Sequence, residues 1–389
     1  MLRKILFWSH LTSGVVVGLV VALMSITGVA LAFQPQIEAW LRAGLFALDP
    51  VSARLPLEEI RRLAEADRGE PATAVTLSSE PDAAVAVHFG RTEVSYLHPQ
   101  TGERLVDPAE AWARRFATLR EWHRWLGAKG ESRVVGRAIT GASNLIFVFL
   151  IVSGLYLWFP RRWTRRALAG VTRLRFGVRG RARDWNWHHA IGFWSLPVLL
   201  VLAVSGVAIS YEWAHRLVFV VAGSEPPPPG RPAPPRIDVA PPPEGAKALP
   251  LDALARRVKE VAPAAREVRL ILGPPARAGE NAPALHASIR ERGAFPPFAS
   301  LGLSLDPYRG DVLRYESFAD QEPGKRLRGW LRFLHTGEAL GWPGQLAAAS
   351  ASAGAVVLVW TGIALSIRRL ARSRRKARSR GPGRAVAIE

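Results

Sequence analysis

Residues 11–33 read LTSGVVVGLVVALMSITGVALAF and contain no Lys, Arg, Asp or Glu. About 20 apolar residues, each rising roughly 1.5 Å, cross the hydrocarbon of a bilayer, so this run is long enough to span one. Three further uncharged runs of similar length follow, Ala138–Phe159, Ala190–Tyr211 and Leu346–Ile367. One such run can be a helix buried in a large soluble core. Four of them, in a chain of 389 residues with 14 Trp and a net charge of +20, predict a polytopic membrane protein. Arg3 and Lys4 before the first run, with Ala30-Leu31-Ala32 at its end, imitate a cleaved signal peptide. The run is too long for an h-region, however, and it shares a spacing pattern with the third.

Basic residues set the expected orientation, because short cytoplasmic loops retain Lys and Arg. The first ten residues hold two, the segment Pro160–Trp187 nine and the tail beyond Ile367 nine, against only Asp184 and Glu389. Of 52 basic and 32 acidic residues, that leaves 32 and 30 elsewhere, so nearly all the excess charge lies on one face. The expected fold is an all-α four-helix transmembrane bundle in a bacterial inner membrane, both termini inside, with two small α+β modules in the periplasm. The spans occupy 1–33, 138–160, 188–211 and 346–367. Outer regions fill 34–137 and 212–345, and 161–187 and 368–389 form a basic cytoplasmic loop and tail. Beside a membrane, Arg372–Arg380 is expected to attract anionic lipid and not nucleic acid. Cys is absent, which excludes disulfides, thiolate metal sites, iron–sulfur clusters and covalently attached haem.

The first outer region pairs an amphipathic helix at Leu57–Ala66 with alternating runs at Ala74–Leu77, Ala84–Phe89 and Val94–Leu97. In EVSYLHPQTGERL, Glu93–Leu105, Pro99 and Gly102 mark a turn between two strands. The second outer region opens with the Pro-rich stretch Pro226–Pro243, expected to be extended. It then repeats the pattern: a helix at Leu251–Val261, strands near Val268–Leu272 and His286–Ile289, and LSLDPYRGDVLRY from Leu303 to Tyr315. Both turns resemble the D-P-x-T-G-like strand–turn–strand signature of PepSY modules. His98 stands where the first Asp is expected, and Arg309 replaces the Thr of the second.

Of nine His, His88, His98 and His286 fall in the outer modules and six cluster at membrane boundaries, where an imidazole is costly. His10 lies four residues before Gly14 and eighteen before Gly28; His188 lies four before Gly192 and eighteen before Gly206. The later glycines sit in Thr27-Gly28-Val29 and Ser205-Gly206-Val207. Spans two and four carry Ser153-Gly154-Leu155 and Thr361-Gly362-Ile363, and each is preceded by a histidine, His123 in WHRWLG and His335 in LHTG. The chain therefore reads as a duplicated helix pair, with His10 and His188 in an inner layer and His123 and His335 in an outer one.

Two neutral imidazoles facing each other across a bundle suit a six-coordinate b-type haem, so two haems b are expected. Eighteen residues of helix cover about 27 Å, placing Gly28 and Gly206 near the outer layer and Gly154 and Gly362 near the inner one. These glycines either let a helix approach a flat macrocycle or serve ordinary small-residue packing. Interfacial anchoring is the plain alternative for any single histidine. His189 points about 100° away from His188 and cannot address the same iron; repeat spacing favours His188. His215 is a reserve ligand near the outer layer or a substrate-side contact.

At His10-x-x-x-Gly14, SGLYLW (Ser153–Trp158), Trp187-His188-His189 and LHTGEALGWPG (Leu334–Gly344), the chain resembles the PepSY-associated transmembrane helix family over almost its whole length. That family includes inner-membrane ferric-siderophore reductases and iron-regulated membrane proteins. The resemblance implies a haem-dependent oxidoreductase that moves electrons through two stacked b-type haems to a ferric siderophore outside, releasing Fe(II) for iron uptake. No flavin or nucleotide fingerprint occurs and the inner loop is short, so a donor protein, a reduced flavin or a membrane quinol must supply electrons. The competing expectation is a haem-free accessory whose outer modules bind a peptide, protease or metal chelate. His10 and His188, remote from any outer ligand, count against it. The absence of H-E-x-x-H and G-x-S-x-G speaks against a hydrolase.

Overall fold

The computed structural model describes residues 1–49, 53–80, 82–90, 92–160, 163–228, 237–239, 247–273 and 281–378. In chain order its α-helices are α1 (Leu2–Ala32), α2 (Gln34–Leu41), α3 (Leu57–Arg68), α4 (Glu110–Trp125), α5 (Arg133–Trp158), α6 (Arg165–Thr172), α7 (Gly180–Ser210), α8 (Glu212–Val221), α9 (Leu251–Val261), α10 (Pro323–Thr336) and α11 (Gly341–Arg378). They belong to two compact units. One comprises Met1–Gln34, Arg115–His215 and Trp330–Glu389; the other comprises Pro35–Arg114 and Arg216–Gly329. The Pro-rich stretch expected to be extended lies mostly outside the described residues.

The first unit is built on α1, α5, α7 and α11. Each contributes a segment long and apolar enough to cross a membrane, with mean hydropathies of 2.6, 2.0, 2.1 and 1.8. α1 and α7 each pack against both α5 and α11, so α1 lies diagonally across the bundle from α7. Small and aliphatic side chains meet in its centre, among them Ile151, Leu199, Ala203, Ala351 and Ala355. Asn144 adds an interhelical hydrogen bond there, donating Nδ2 to the Ala203 carbonyl at 2.9 Å. The helices begin earlier than the apolar runs. α1 starts at Leu2 and α7 at Gly180, so His10 and His188 each sit eight residues into a helix and are held by regular backbone.

Two hairpins feed α5 and α11. A Cβ on Gly136 would collide with the Trp125 carbonyl, and Thr140 Oγ1 donates to the Arg124 carbonyl at 2.9 Å, which seats the end of α4 on the start of α5. In the other hairpin Gly337 adopts φ 79° and lies against the Gln345 backbone, an approach closed to any side chain. Gln345 is itself buried and donates to the Ala32 carbonyl at 2.7 Å, satisfying an orphan acceptor at the end of α1. The glycines of WHRWLGAKGESRVVG and LHTGEALGWPG thus fix where α4 and α10 end, immediately beyond His123 and His335.

The second unit holds strands β1 (Ala72–Ser78), β2 (Val85–Phe89), β3 (Glu93–Leu97), β4 (Arg104–Leu105), β5 (Asp238–Val239), β6 (Ala265–Ile271), β7 (Ala282–Pro283), β8 (Leu285–Glu291), β9 (Leu301–Leu305) and β10 (Val312–Glu316). Eight form one antiparallel sheet in the order β10-β9-β8-β6-β1-β2-β3-β4, while β5 pairs with β7. The two sequence-repeated segments share this sheet, because β1 and β6 pair from Ala74↔Ile271 to Ser78↔Glu267. Packed on the sheet, α3 and α9 cap one another. Each begins after a proline that offers no side-chain acceptor, so Leu57 N–H donates to Asp252 of α9 at 2.8 Å and Leu251 N–H donates to Glu58 of α3. Alternating positions such as Val75, Val87, Leu270, Ala287 and Leu303 bury completely beneath these helices.

The two turn segments are superimposable in their hydrogen bonding. In the second, Asp306 Oδ1 accepts from the N–H groups of Tyr308 and Arg309 at 2.8 and 3.1 Å. In the first, His98 Nδ1 accepts from those of Gln100 and Thr101, both at 3.3 Å. An imidazole nitrogen therefore fills the acceptor position of the aspartate, which is why the turn tolerates His98. His88 and His286 face hydroxyls, Thr76 Oγ1 at 2.8 Å and Ser304 Oγ at 3.3 Å. Burial, aided by Arg269, holds His88 down to about 4; burial and Arg314 lower His286.

Candidate functional site

His10 on α1 and His188 on α7 come together across the bundle diagonal with ring centroids 6.5 Å apart and planes at 85°. His123 on α4 and His335 on α10 do the same at 6.3 Å and 69°. All four are held alike. Nδ1 of His10 lies 2.9 Å from Ser153 Oγ, that of His123 2.9 Å from Thr27 Oγ1, that of His188 3.0 Å from Thr361 Oγ1, and that of His335 3.0 Å from Ser205 Oγ.

Those hydroxyls decide where each imidazole keeps its proton. Every one of them donates to a carbonyl one turn back on its own helix: Thr27 to Leu23 at 2.8 Å, Ser153 to Phe149 at 2.7 Å, Ser205 to Val201 at 2.6 Å and Thr361 to Val357 at 2.7 Å. With its proton committed, the hydroxyl oxygen can only accept, so Nδ1 carries the hydrogen. His335 Nδ1 also meets the Leu202 carbonyl at 2.9 Å, and a carbonyl cannot donate. Nε2 is left with its lone pair in all four rings, which is the state a metal requires. Burial pushes His123 down to about 4 and lowers His335 as well, so both outer imidazoles are neutral at physiological pH.

The glycine after each hydroxyl residue completes the repeat. A Cβ on Gly28 would stand 3.5 Å from His123 Cε1, on Gly154 3.2 Å from His10 Cε1, on Gly206 3.3 Å from His335 Cε1, and on Gly362 3.4 Å from His188 Cε1. The four glycines therefore touch the four histidines themselves, one helix supplying the Ser/Thr-Gly pair and another the ring. Sequence reading noted each Ser or Thr but gave it no role; the recurring dipeptide was the available signal.

A haem iron fits this geometry. A ring nitrogen lies about 2.0–2.1 Å from a metal it binds and roughly 1.1 Å from its own ring centre, so two imidazoles on opposite sides of one metal have centroids about 6.3 Å apart. Both pairs match that separation. Among the described residues no group of three or more His, Asp or Glu converges on a metal position.

His189 lies beside the inner pair, with its own Nδ1 partner. Its Nδ1 lies 2.8 Å from the Trp185 carbonyl and its ring packs on Trp185 with centroids 4.2 Å apart, while His188 is 6.2 Å away. His215 lies in the first half of α8, with its backbone N–H bonded to the Tyr211 carbonyl. At the arginine-rich end of the bundle Asp184 is fully buried, 2.9 Å from Arg183 and 2.7 Å from Arg368, which ties the start of α7 to the end of α11.

Fold and site together define a four-span membrane protein with two layers of facing histidines. The pattern describing the PepSY-associated TM region matches residues 7–369, nearly the whole chain, and the chain belongs to that family. No curated protein matches it.

Proposed function

We propose that this protein carries electrons across the bacterial inner membrane and reduces the Fe(III) of a periplasmic siderophore to Fe(II). The observation that carries the reading is the fourfold repetition of a histidine fixed as its Nδ1–H tautomer, in two pairs spaced for a shared metal. His10 and His188 would hold one b-type haem and His123 and His335 the other. Bound there, these groups supply one-electron redox chemistry at two depths of the bilayer.

The chain's own residues do the rest. Ser153, Thr361, Thr27 and Ser205 keep each Nε2 unprotonated and prevent ring rotation, and hydrogen bonding at Nδ1 raises the basicity of Nε2. The four glycines let each imidazole lie close against a neighbouring helix, where a side chain would crowd it. Layer separation follows from α1: His10 and Thr27, seventeen residues apart, address different layers about 26 Å apart along the helix. Arginine-rich ends at the loop and tail favour an N-in, C-in topology, which puts the PepSY-like sheet in the periplasm with the substrate. One electron suffices per iron, because hydroxamate and catecholate chelators hold the larger, softer Fe(II) much more weakly.

Proteoliposomes loaded with a reductant test this. With a ferric hydroxamate and a chromogenic Fe(II) trap outside, wild-type protein should develop colour, and His10→Ala and His335→Ala should each stop it. Colour at the wild-type rate in either variant would refute a path through both pairs.

A further inference from the structure

The open pocket beside α6 and α7, at the arginine-rich end of the bundle, is a feature that the histidine layers leave unexplained; Arg175, Arg181 and Trp185 are exposed at its mouth. Its volume is about 450 Å³ and its walls include Gly170, Arg175, Val178, Arg181, Trp185 and Asn186. Side chains of α7 hold the loop that shapes it. Buried Asn186 accepts from Arg175 N–H at 2.9 Å and donates to the Gly170 and Arg173 carbonyls at 3.1 and 3.0 Å. Trp194 Nε1 donates to the Thr172 carbonyl at 2.9 Å and Trp187 Nε1 to the Arg175 carbonyl at 3.3 Å. Every carbonyl so engaged lies between residues 170 and 175, so the loop is pinned along its length.

The chemistry of the walls selects a ligand. Arg175 and Arg181 make no ion pair among the described residues, and the nearby carboxylate, Asp184, is buried and committed to Arg183 and Arg368. Two unneutralised guanidinium groups call for an anion, and phosphate suits their planar donor forks. Trp185 is 43% exposed and offers an aromatic surface to a planar ring. Rings connect it to the inner pair: Trp185 packs on His189, and His189 lies beside His188.

We propose that this cavity binds reduced flavin mononucleotide, its phosphate on Arg175 and Arg181 and its ring system on Trp185, as the electron donor to the inner histidine layer. The proposal rests on the electron-transfer reading above. A neutral quinol makes no use of the two arginines. A nicotinamide surrenders its electrons as one hydride, which a one-electron acceptor cannot take. Each reduced flavin mononucleotide releases two electrons, one at a time, and two protons, becoming the oxidised flavin. The electrons reduce two Fe(III) in turn, and the protons pass to water on the donor side. The cavity volume lies within the range of small-molecule sites.

Binding can be read without turnover, by quenching of flavin fluorescence on titrating flavin mononucleotide into the full-length protein in nanodiscs of neutral lipid. One saturable site is expected, with riboflavin, which lacks the phosphate, at least tenfold weaker. The double variant Arg175→Ala/Arg181→Ala and the single variant Trp185→Leu should each weaken flavin mononucleotide at least tenfold while keeping the circular-dichroism spectrum of the wild type. Equal affinity for riboflavin, or variants that bind like wild type, would overturn the site. Loss of flavin binding when anionic phosphatidylglycerol replaces the neutral lipid would assign the arginines to a lipid phosphate instead, and would also overturn it. The same titration in His10→Ala/His335→Ala keeps the two readings separable: quenching persists there if the cavity binds flavin, whatever becomes of the haems.

Discussion

Replacing Thr361 by Val isolates the part of the site that sequence reading left without a role. Thr361 is fully buried, and Val reproduces its shape while removing the oxygen that accepts from His188 Nδ1–H at 3.0 Å. A buried donor left without its partner costs about 1–3 kcal/mol. At roughly 1.4 kcal/mol per factor of ten, that corresponds to a weakening of about 5- to 150-fold in the affinity of the inner site for the proposed haem, in keeping with the 10–100-fold cost of losing such a partner. Loss of the bond also makes Nε2 a poorer donor to the ferric state, so the inner reduction potential should rise. Potentiometric titration of the visible α-band, with haem counted per chain, reads both effects. The inner component should shift upward or be lost, the outer should stay, and Thr361→Ser should restore the wild-type curve. An unchanged inner component, or equal changes in both, would refute the role assigned to the hydroxyl.

Bulk placed on the glycines should act by layer: Gly154→Leu crowds His10 and should empty the inner site alone, whereas Gly28→Leu crowds His123 and should empty the outer, as read by the same haem count. In the turn between β3 and β4, His98→Asp should preserve or raise the melting temperature, since it restores a carboxylate acceptor, while His98→Ala should lower stability by about 0.5–1.5 kcal/mol. Asp184→Asn leaves Arg368 without its buried counter-charge and should destabilise the detergent-solubilised protein by about 1–3 kcal/mol, below the full cost of a buried pair because both arginines are partly exposed. The sheet should weaken in acid. His88 and His286 have folded values below the ordinary histidine range, so the unfolded chain takes up protons first; stability is complete above about pH 6.5 and falls as pH drops, for His88 towards about 4. Solvent screening limits the effect to on the order of 1 kcal/mol per group, measurable as lower amide protection factors, with the intrinsic pH dependence of exchange divided out, in β1, β2 and β8 at pH 5 than at pH 7.5, and His88→Gln should flatten it.

The membrane spans were legible because a bilayer imposes a length and a polarity on any helix that crosses it, and the four uncharged runs meet both. The equal eighteen-residue intervals from His10 to Gly28 and from His188 to Gly206 were legible for a related reason: helical rise converts an interval into a depth. What an interval along one helix does not contain is which neighbour that depth meets. Gly154 sits against His10 and Gly362 against His188 because α1 neighbours α5 and α7 neighbours α11, an adjacency set by packing. Non-local pairing hid the sheet in the same way. Residues 74–78 and 267–271 lie nearly 200 positions apart, and nothing in either strand announces the other. The reciprocal caps of α3 and α9 were equally hidden, since Glu58 and Asp252 look like ordinary first-turn acids until the helices are side by side. Asn186 has nothing in its sequence neighbourhood to mark it; its three hydrogen bonds appear only once the chain from 170 to 175 folds back on it.

The central claim is that each histidine pair holds a haem, and a pyridine haemochrome count on the purified wild-type protein, taken with its reduced-minus-oxidised spectrum, tests it most directly. Two b-type haems per chain, falling to one in either His10→Ala or His335→Ala with a different component lost in each, is the predicted result. A colourless protein from cells supplied with ample haem would contradict it.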